Sequence, residues 1–294
     1  MPCFINLPLR WIHGRNAWAE WFIAGRMAPE FGLDAESLAL PDSWHEALAV
    51  RFRKAGLPCS VHLPFMGINP SVPDRAEAGE ARAALRRGAE LAGIYGAKHM
   101  VGHPYYLAPD QPPRAEGDVD AGWMERSLAA WPDLPGIAGA PLFLENTYET
   151  SPKALAALVG ALQEDAAGGP GIGVCFDIGH WHAFAKKKKP EEIAPWLDAF
   201  QPFRLHLHLH DNDGGFDQHI GLGLGDIPLM ALFAELSTRD KAVTATLEPH
   251  DVTALVASAS WMEACKEAAT AVDWKQPSLD ALPLNEIAGH IAKA

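Results

Sequence analysis

The sequence predicts a single α/β domain folded as a (β/α)8 barrel, and three observations carry that reading. Short apolar runs suited to β-strands alternate eight times with longer runs whose apolar residues recur every three or four positions. Such alternation implies parallel strands joined by right-handed crossovers, and eight units favour closure over an open sheet. A length of 294 residues, 48% of them hydrophobic and 21% charged, suits one large barrel with an extensive core. Residues 1–272 are assigned to the barrel. Residues 273–294 are assigned to a short C-terminal extension that packs on the barrel or on a partner.

In chain order the expected strands are Cys3–Leu7, Phe31–Glu36, Cys59–Pro64, His99–His103, Pro141–Asn146, Gly173–Asp177, Phe203–His210 and Val243–Glu248. The clearest helix is Arg75–Tyr95, rich in Ala, Leu, Arg and Glu. Pro152–Gln163, Pro190–Phe200 and Ile227–Leu236 each have proline near their start, where a missing N–H costs least.

Bulk composition narrows the function. The formal net charge is -13, which argues against a general nucleic-acid surface while leaving room for a local basic patch. Cys3, Cys59, Cys175 and Cys265 are far apart and form no CxxC pair, which argues against a disulfide scaffold or a thiolate zinc site and fits a reducing cytosol. Met1–Arg10 lacks a basic start followed by an apolar stretch, and no apolar run approaches membrane-spanning length, so a cytoplasmic protein is expected.

The polar residues gather at strand ends. His62 ends the third strand, His103 the fourth, Glu145 the fifth and Asp177 the sixth, with His180 three residues on. His208 and His210 end the seventh, Asp217 and His219 follow in its loop, and Glu248 ends the eighth. Active sites of such barrels lie at the C-terminal strand ends, so six successive strands deliver metal-competent groups to one rim. Imidazole and carboxylate without thiolate suit Zn²⁺, Mn²⁺ or Fe²⁺. His206, His208 and His210 alternate with Leu205, Leu207 and Leu209, so the histidines are expected to face the barrel axis and the leucines the outer helices. Each residue alone also has an ordinary reading: a buried His is commonly a hydrogen-bonded core residue, and a rim carboxylate commonly pairs with Lys or Arg. Their convergence on one rim favours the metal.

Lesser features are Lys186–Lys189 and the glycines of Gly221–Asp226. The lysines either steer a substrate phosphate or form a solvated charge run, and the latter is favoured. The glycines either cradle a phosphate or allow tight turns, and turns are favoured.

In order, HLPF, GHP, LEN, FDIGH, HLHDND, DQHIGLG and LEPH resemble the motifs of the xylose isomerase-like barrel superfamily, over about Cys59 to His250. This group includes sugar and sugar-phosphate isomerases and epimerases, and the apurinic-site endonucleases of the endonuclease IV type. Resemblance to the endonuclease branch implies a three-zinc cluster held by His62, His103, Glu145, Asp177, His180, His208, Asp217, His219 and Glu248. Resemblance to the epimerase branch implies one Mn²⁺-like ion held by Glu145, Asp177, His208 and Glu248, with His180 touching substrate. That branch also has a substrate-contacting Arg after the strand-seven His, where this chain has Asn212, Asp213 and Gly214.

The first expectation is a metal-dependent sugar or sugar-phosphate isomerase or epimerase. In it Glu145 and Glu248 pass a proton through an enediolate, and His180, His210 and Trp181 contact the substrate. The alternative is a metal-dependent phosphodiester hydrolase, possibly an apurinic-site endonuclease. The acidic strand-seven loop argues against DNA, and the full set of nine ligand types argues for hydrolysis. One to three Mn²⁺ or Zn²⁺ ions per chain are expected, with a homo-oligomer open. Metal count separates the two readings.

Overall fold

Eight parallel strands pair in chain order and close on themselves: β1 (Phe4–Pro8), β2 (Pro29–Gly32), β3 (Ser60–His62), β4 (Met100–Gly102), β5 (Leu142–Glu145), β6 (Ile172–Asp177), β7 (Leu205–Leu209) and β8 (Thr244–Leu247). Closure comes from β1 against β8, with Phe4 opposite Thr246 and Ile5 opposite Leu247. A computed structural model describes residues 3–106, 119–165, 169–187, 189–239 and 243–279. The predicted barrel is therefore the observed one.

The helical run at Arg75–Tyr95 forms over the predicted residues. The Asp74 side chain caps it by accepting from the backbone N–H groups of Ala76 and Glu77, both at 2.9 Å. Gly96 ends it at φ 64°, a left-handed conformation that glycine adopts without strain. Its buried face runs through Ala78, Ala81, Leu85, Ala89 and Ala92, at three- and four-residue spacing. Pro152–Gln163 becomes a helix at Lys153–Asp165, and Ile227–Leu236 becomes one at Leu229–Thr238. The run from Pro190 splits into a 3-10 turn, Pro190–Glu192, and a helix, Ala194–Phe200.

β2 corrects the sequence reading: it lies at Pro29–Gly32, not Phe31–Glu36. The chain turns away at Asp34, which starts a short helix, Ala35–Leu38. Asp34 accepts from the Ser37 N–H, and the Ser37 hydroxyl accepts from the Asp34 N–H, both at 2.8 Å. This reciprocal cap satisfies the end of a helix where a strand was expected. The shift also brings Glu30 into the barrel wall, paired in register with Ser60 of β3.

β7 follows the parity argument. Leu205, Leu207 and Leu209 join the main apolar core, whereas His206 and His208 point toward other polar groups inside the barrel. His208 stands opposite Asp177 of β6 and Thr246 of β8. Beyond the eighth unit, the Ser278 N–H donates to the Gly25 carbonyl at 2.9 Å, so the described start of the tail lies against the barrel.

Candidate metal centre

The C-terminal strand ends and the loops after them bring all nine predicted donor residues together. The local reasons differ. His62, Glu145 and Asp177 are the last residues of their strands, and His103 directly follows β4. His180 lies in the first turn of the helix Ile178–Ala183, whose N-terminus Asp177 caps by accepting from the His180 N–H at 2.6 Å. Three non-glycine residues on this face adopt left-handed backbone: Tyr105, Lys186 and His219, at φ 50°, 57° and 49°. Each costs about 1–3 kcal/mol, a strain that clusters where loops are held for function.

Glu145 sits at the centre. Its Oε2 lies 3.3 Å from His62 Nε2, 3.2 Å from His103 Nε2 and 3.2 Å from His208 Nδ1, and its Oε1 lies 3.1 Å from His180 Nδ1. His208 Nδ1 also lies 3.3 Å from Glu248 and 3.9 Å from Asp177. To one side, Asp217 gathers His180 Nε2 at 3.3 Å, His210 Nε2 at 3.4 Å and His219 Nε2 at 2.9 Å. His210 Nε2 is also 3.2 Å from Asp177, so it lies between the two groups.

Three of these imidazoles are oriented by backbone. The Nδ1 atoms of His62, His180 and His219 lie 2.9 Å from the carbonyls of Leu63, Asn146 and Glu248. A carbonyl only accepts, so each Nδ1 carries a proton; the carboxylates facing each Nε2 are acceptors too, so a neutral ring with its Nε2 lone pair free is the form a bound cation would select. Neutral imidazole with one nitrogen anchored is the ligand form.

Electrostatics separate the carboxylates. Burial disfavours ionised Glu145, but the imidazoles around it override burial and hold its carboxyl well below the usual range. Asp177 and Asp217 are held low in the same way, against burial, by neighbouring histidines. Burial prevails at Glu248 and pushes its carboxyl up. His103 Nε2, Asp177 Oδ2, His208 Nδ1, both nitrogens of His210 and Asp217 Oδ1 are buried without hydrogen-bond partners among the described residues. Buried groups left in that state are costly. Among the described residues, the ion pairs to these four carboxylates come from histidine alone. Clustered carboxylates, oriented imidazoles and orphaned lone pairs fit divalent cations.

Other predicted residues fall elsewhere. Trp181 is fully buried in the apolar core, packed beside His182, and so does not reach a substrate. A helix turns about a third of the way round between neighbours, so His180 facing the centre sends Trp181 inward. His206 lies a layer below the rim. Lys186 Nζ donates to the carbonyls of Gly214 and Gly215, at 3.2 and 3.3 Å, and Lys187 pairs with Glu192, so these lysines tie down loops. Lys188 lies outside the described residues. The Gly221–Asp226 loop is no phosphate cradle, because the Asp211 carboxylate already accepts from its Gly223 N–H at 2.9 Å and from the N–H of Ile227, just past it, at 3.1 Å.

Sequence reading missed Glu30, which is fully buried on β2. A charged residue between Pro29 and Phe31, in a run so short, was the signal available.

Fold and donor set together define a (β/α)8 barrel with a metal-competent rim. The chain belongs to the xylose isomerase-like TIM barrel family, whose model matches residues 25–265. Members of this family generally bind divalent metals. A curated relative, the uncharacterised protein MJ1311 of Methanocaldococcus jannaschii, is 24% identical over 60% of this chain and 59% of its own length. The chain thus matches less than two thirds of that relative. Among solved structures, the TTHB071 protein of Thermus thermophilus, soaked with zinc chloride, is 28% identical at a TM-score of 0.67, covering 90% of this chain and 97% of that one. A D-tagatose 3-epimerase-like protein is 19% identical at 0.65, covering 82% and 89%. Endonuclease IV of Thermus thermophilus is 22% identical at 0.60, covering 90% and 99%. The neighbours include enzymes of both branches. Among the described residues, no helix is long and apolar enough to cross a membrane.

Proposed function

We propose that this chain is a divalent-metal-dependent phosphodiester hydrolase. The observation that carries the reading is the enclosure of Glu145 by four imidazoles at 3.1–3.3 Å, with 1% of its side chain exposed. A carboxylate so enclosed has no edge left to take a proton from a sugar carbon. It is placed instead to be shared between metal ions. His62, His103 and Glu145 would hold one ion. Glu145, Asp177, His208 and Glu248 would hold a second, and His180, Asp217 and His219 a third. Bound zinc or manganese would supply Lewis-acid stabilisation of phosphoryl oxygens and lower the pKa of water. Glu248, buried but more exposed than Glu145 and with its carboxyl raised by burial, would accept the proton of the attacking water.

The rim argues for a compact phosphodiester over duplex DNA. Of the aspartates in residues 211–226, Asp213 and Asp226 are exposed, and the cation beside them is Lys186, tied to the Gly214 and Gly215 carbonyls, a sparse basic surface for the counterion displacement a duplex needs.

A second reading keeps a sugar or sugar-phosphate isomerase or epimerase. It is favoured by Glu145 and Glu248 lying 3.2 and 3.3 Å from the same His208 Nδ1, as a pair flanking one substrate would. Metal content per chain, followed by assays on bis(p-nitrophenyl) phosphate and on a panel of ketoses and ketose phosphates, tests both. Two to three equivalents with hydrolysis support the first. One equivalent with epimerisation and no hydrolysis would replace it by the second.

A further inference from the structure

Below the rim, a fully buried carboxylate on β2 stands behind the metal-facing imidazole of β7. Glu30 Oε2 accepts from the hydroxyls of Ser60 and Thr246, each at 2.9 Å. His99 Nε2 is 3.5 Å from the same oxygen. Glu30 Oε1 has no hydrogen-bond partner, and it lies 3.1 Å from His208 Nε2, which has none either.

The arrangement inverts the pattern of the other imidazoles. His62 and His219 have Nδ1 anchored on backbone carbonyls and Nε2 toward the carboxylates, and His180 does too, although its Nδ1 also lies 3.1 Å from Glu145. His208 has Nδ1 toward Glu145, Asp177 and Glu248, and Nε2 toward the barrel interior. A strand interior offers that Nε2 no carbonyl, because β-strand carbonyls are committed to the ladder. Something else must hold its proton.

We propose that Glu30 is a positioning residue for the metal centre, whose Oε1 fixes the proton of His208 on Nε2 and so leaves Nδ1 as the metal-binding atom. The hydroxyls of Ser60 and Thr246 hold the other carboxylate oxygen and set its angle. Thr246 reaches further: His206 Nε2 lies 3.0 Å from its hydroxyl, and His206 Nδ1 lies 2.6 Å from Thr244 Oγ1. Thr246 donates to Glu30, so it accepts from a protonated His206 Nε2, while Thr244 donates to His206 Nδ1. Ser60, Thr244, Thr246 and His206 then each have one donor–acceptor assignment, and Glu30 Oε1 is left as an acceptor for His208. A carboxylate behind a ligating imidazole orients the ring and raises its basicity.

This inference rests on the chain binding divalent metal, and the test separates the two. Zn²⁺ affinity is measured on the full chain by competition with a chromophoric chelator, for wild type and Glu30→Gln. The expected result is a loss of about 10–100-fold in affinity in the variant. A purely structural Glu30 would lower the melting temperature of the metal-free protein and leave Zn²⁺ affinity unchanged, which would overturn the assignment. A wild type that binds no Zn²⁺ would overturn the metal reading itself. If the variant does not fold, ¹⁵N shifts of histidine-labelled, zinc-loaded wild type decide. Zinc on Nδ1 and a proton on Nε2 of His208 support the role, and zinc on Nε2 refutes it.

Discussion

Two sets of buried histidines in this barrel differ in one respect. His45 and His206 have both ring nitrogens satisfied: His45 by the Tyr95 hydroxyl at 2.7 Å and the Ser37 carbonyl at 3.1 Å, and His206 by Thr244 and Thr246. His103, His208 and His210, also buried, have orphaned nitrogens within 3.4 Å of carboxylates. Burial alone therefore does not mark a ligand. A buried imidazole already paired with hydroxyls and carbonyls belongs to the fold, and one left facing carboxylates is arranged for something that arrives later.

The sharpest way to break this comparison is Glu145→Ala. It removes the carboxylate shared by four imidazoles, and the loss of metal affinity should exceed the about 10–100-fold typical of an outer partner. Metal content and activity that match wild type would mean the orphaned set has no ligand role.

Gly179→Ala probes the packing of that set. A Cβ at Gly179 would lie 1.9 Å from His210 Cε1. The ring has no room to retreat, and the expected cost is about 1–3 kcal/mol by denaturant melting, with a change in metal stoichiometry or affinity. Gly79→Ala is the control. Nothing lies within 4 Å of its Cβ, and it sits in the interior of the Arg75–Tyr95 helix, so it should stabilise by about 0.5–1 kcal/mol.

Thr244→Val acts on the satisfied set. It deletes the donor to His206 Nδ1 and should cost about 1–3 kcal/mol, the desolvation of an unmatched buried group. Metal content should stay at the wild-type value, and a drop would show that the two sets are not separable.

The smallest effect is the pH response of His45. Burial is the main cause that pushes its pKa below the ordinary value. A histidine lowered in the folded state binds its proton more readily when unfolded, so its contribution is present above the unfolded pKa of about 6.5 and is lost as pH falls toward the folded value. The wild type should thus exceed His45→Gln in melting temperature by more at pH 7 than at pH 5. An equal gap at both would show that His45 titrates alike in both states.

Much of this was legible in the residues. The helix Arg75–Tyr95 was readable because its cap, its apolar spacing and its terminal glycine all agree. The alternation of His and Leu along β7 gave the correct inward face, because side-chain parity on a strand is local. Strand-end donors converged as expected, because a closed parallel barrel brings all its C-terminal ends to one rim. Trp181 was misjudged, because nearness to a motif in sequence says nothing about which way a helical side chain points, and the carbonyl partners of Lys186 were not legible because they lie on another loop.

The sequence by itself determined the number of units, the parallel closure, the rim and the types of donor presented there. Those follow from periodicity and from strand order, which each segment carries within itself. Only the tertiary structure decided which imidazole nitrogen faces the centre, which buried histidines were already satisfied, and that Glu30 stands behind His208. Glu30 and His208 are separated by 178 positions along the chain and meet only when the barrel closes. Such a contact depends on register between distant strands, and no local pattern encodes it.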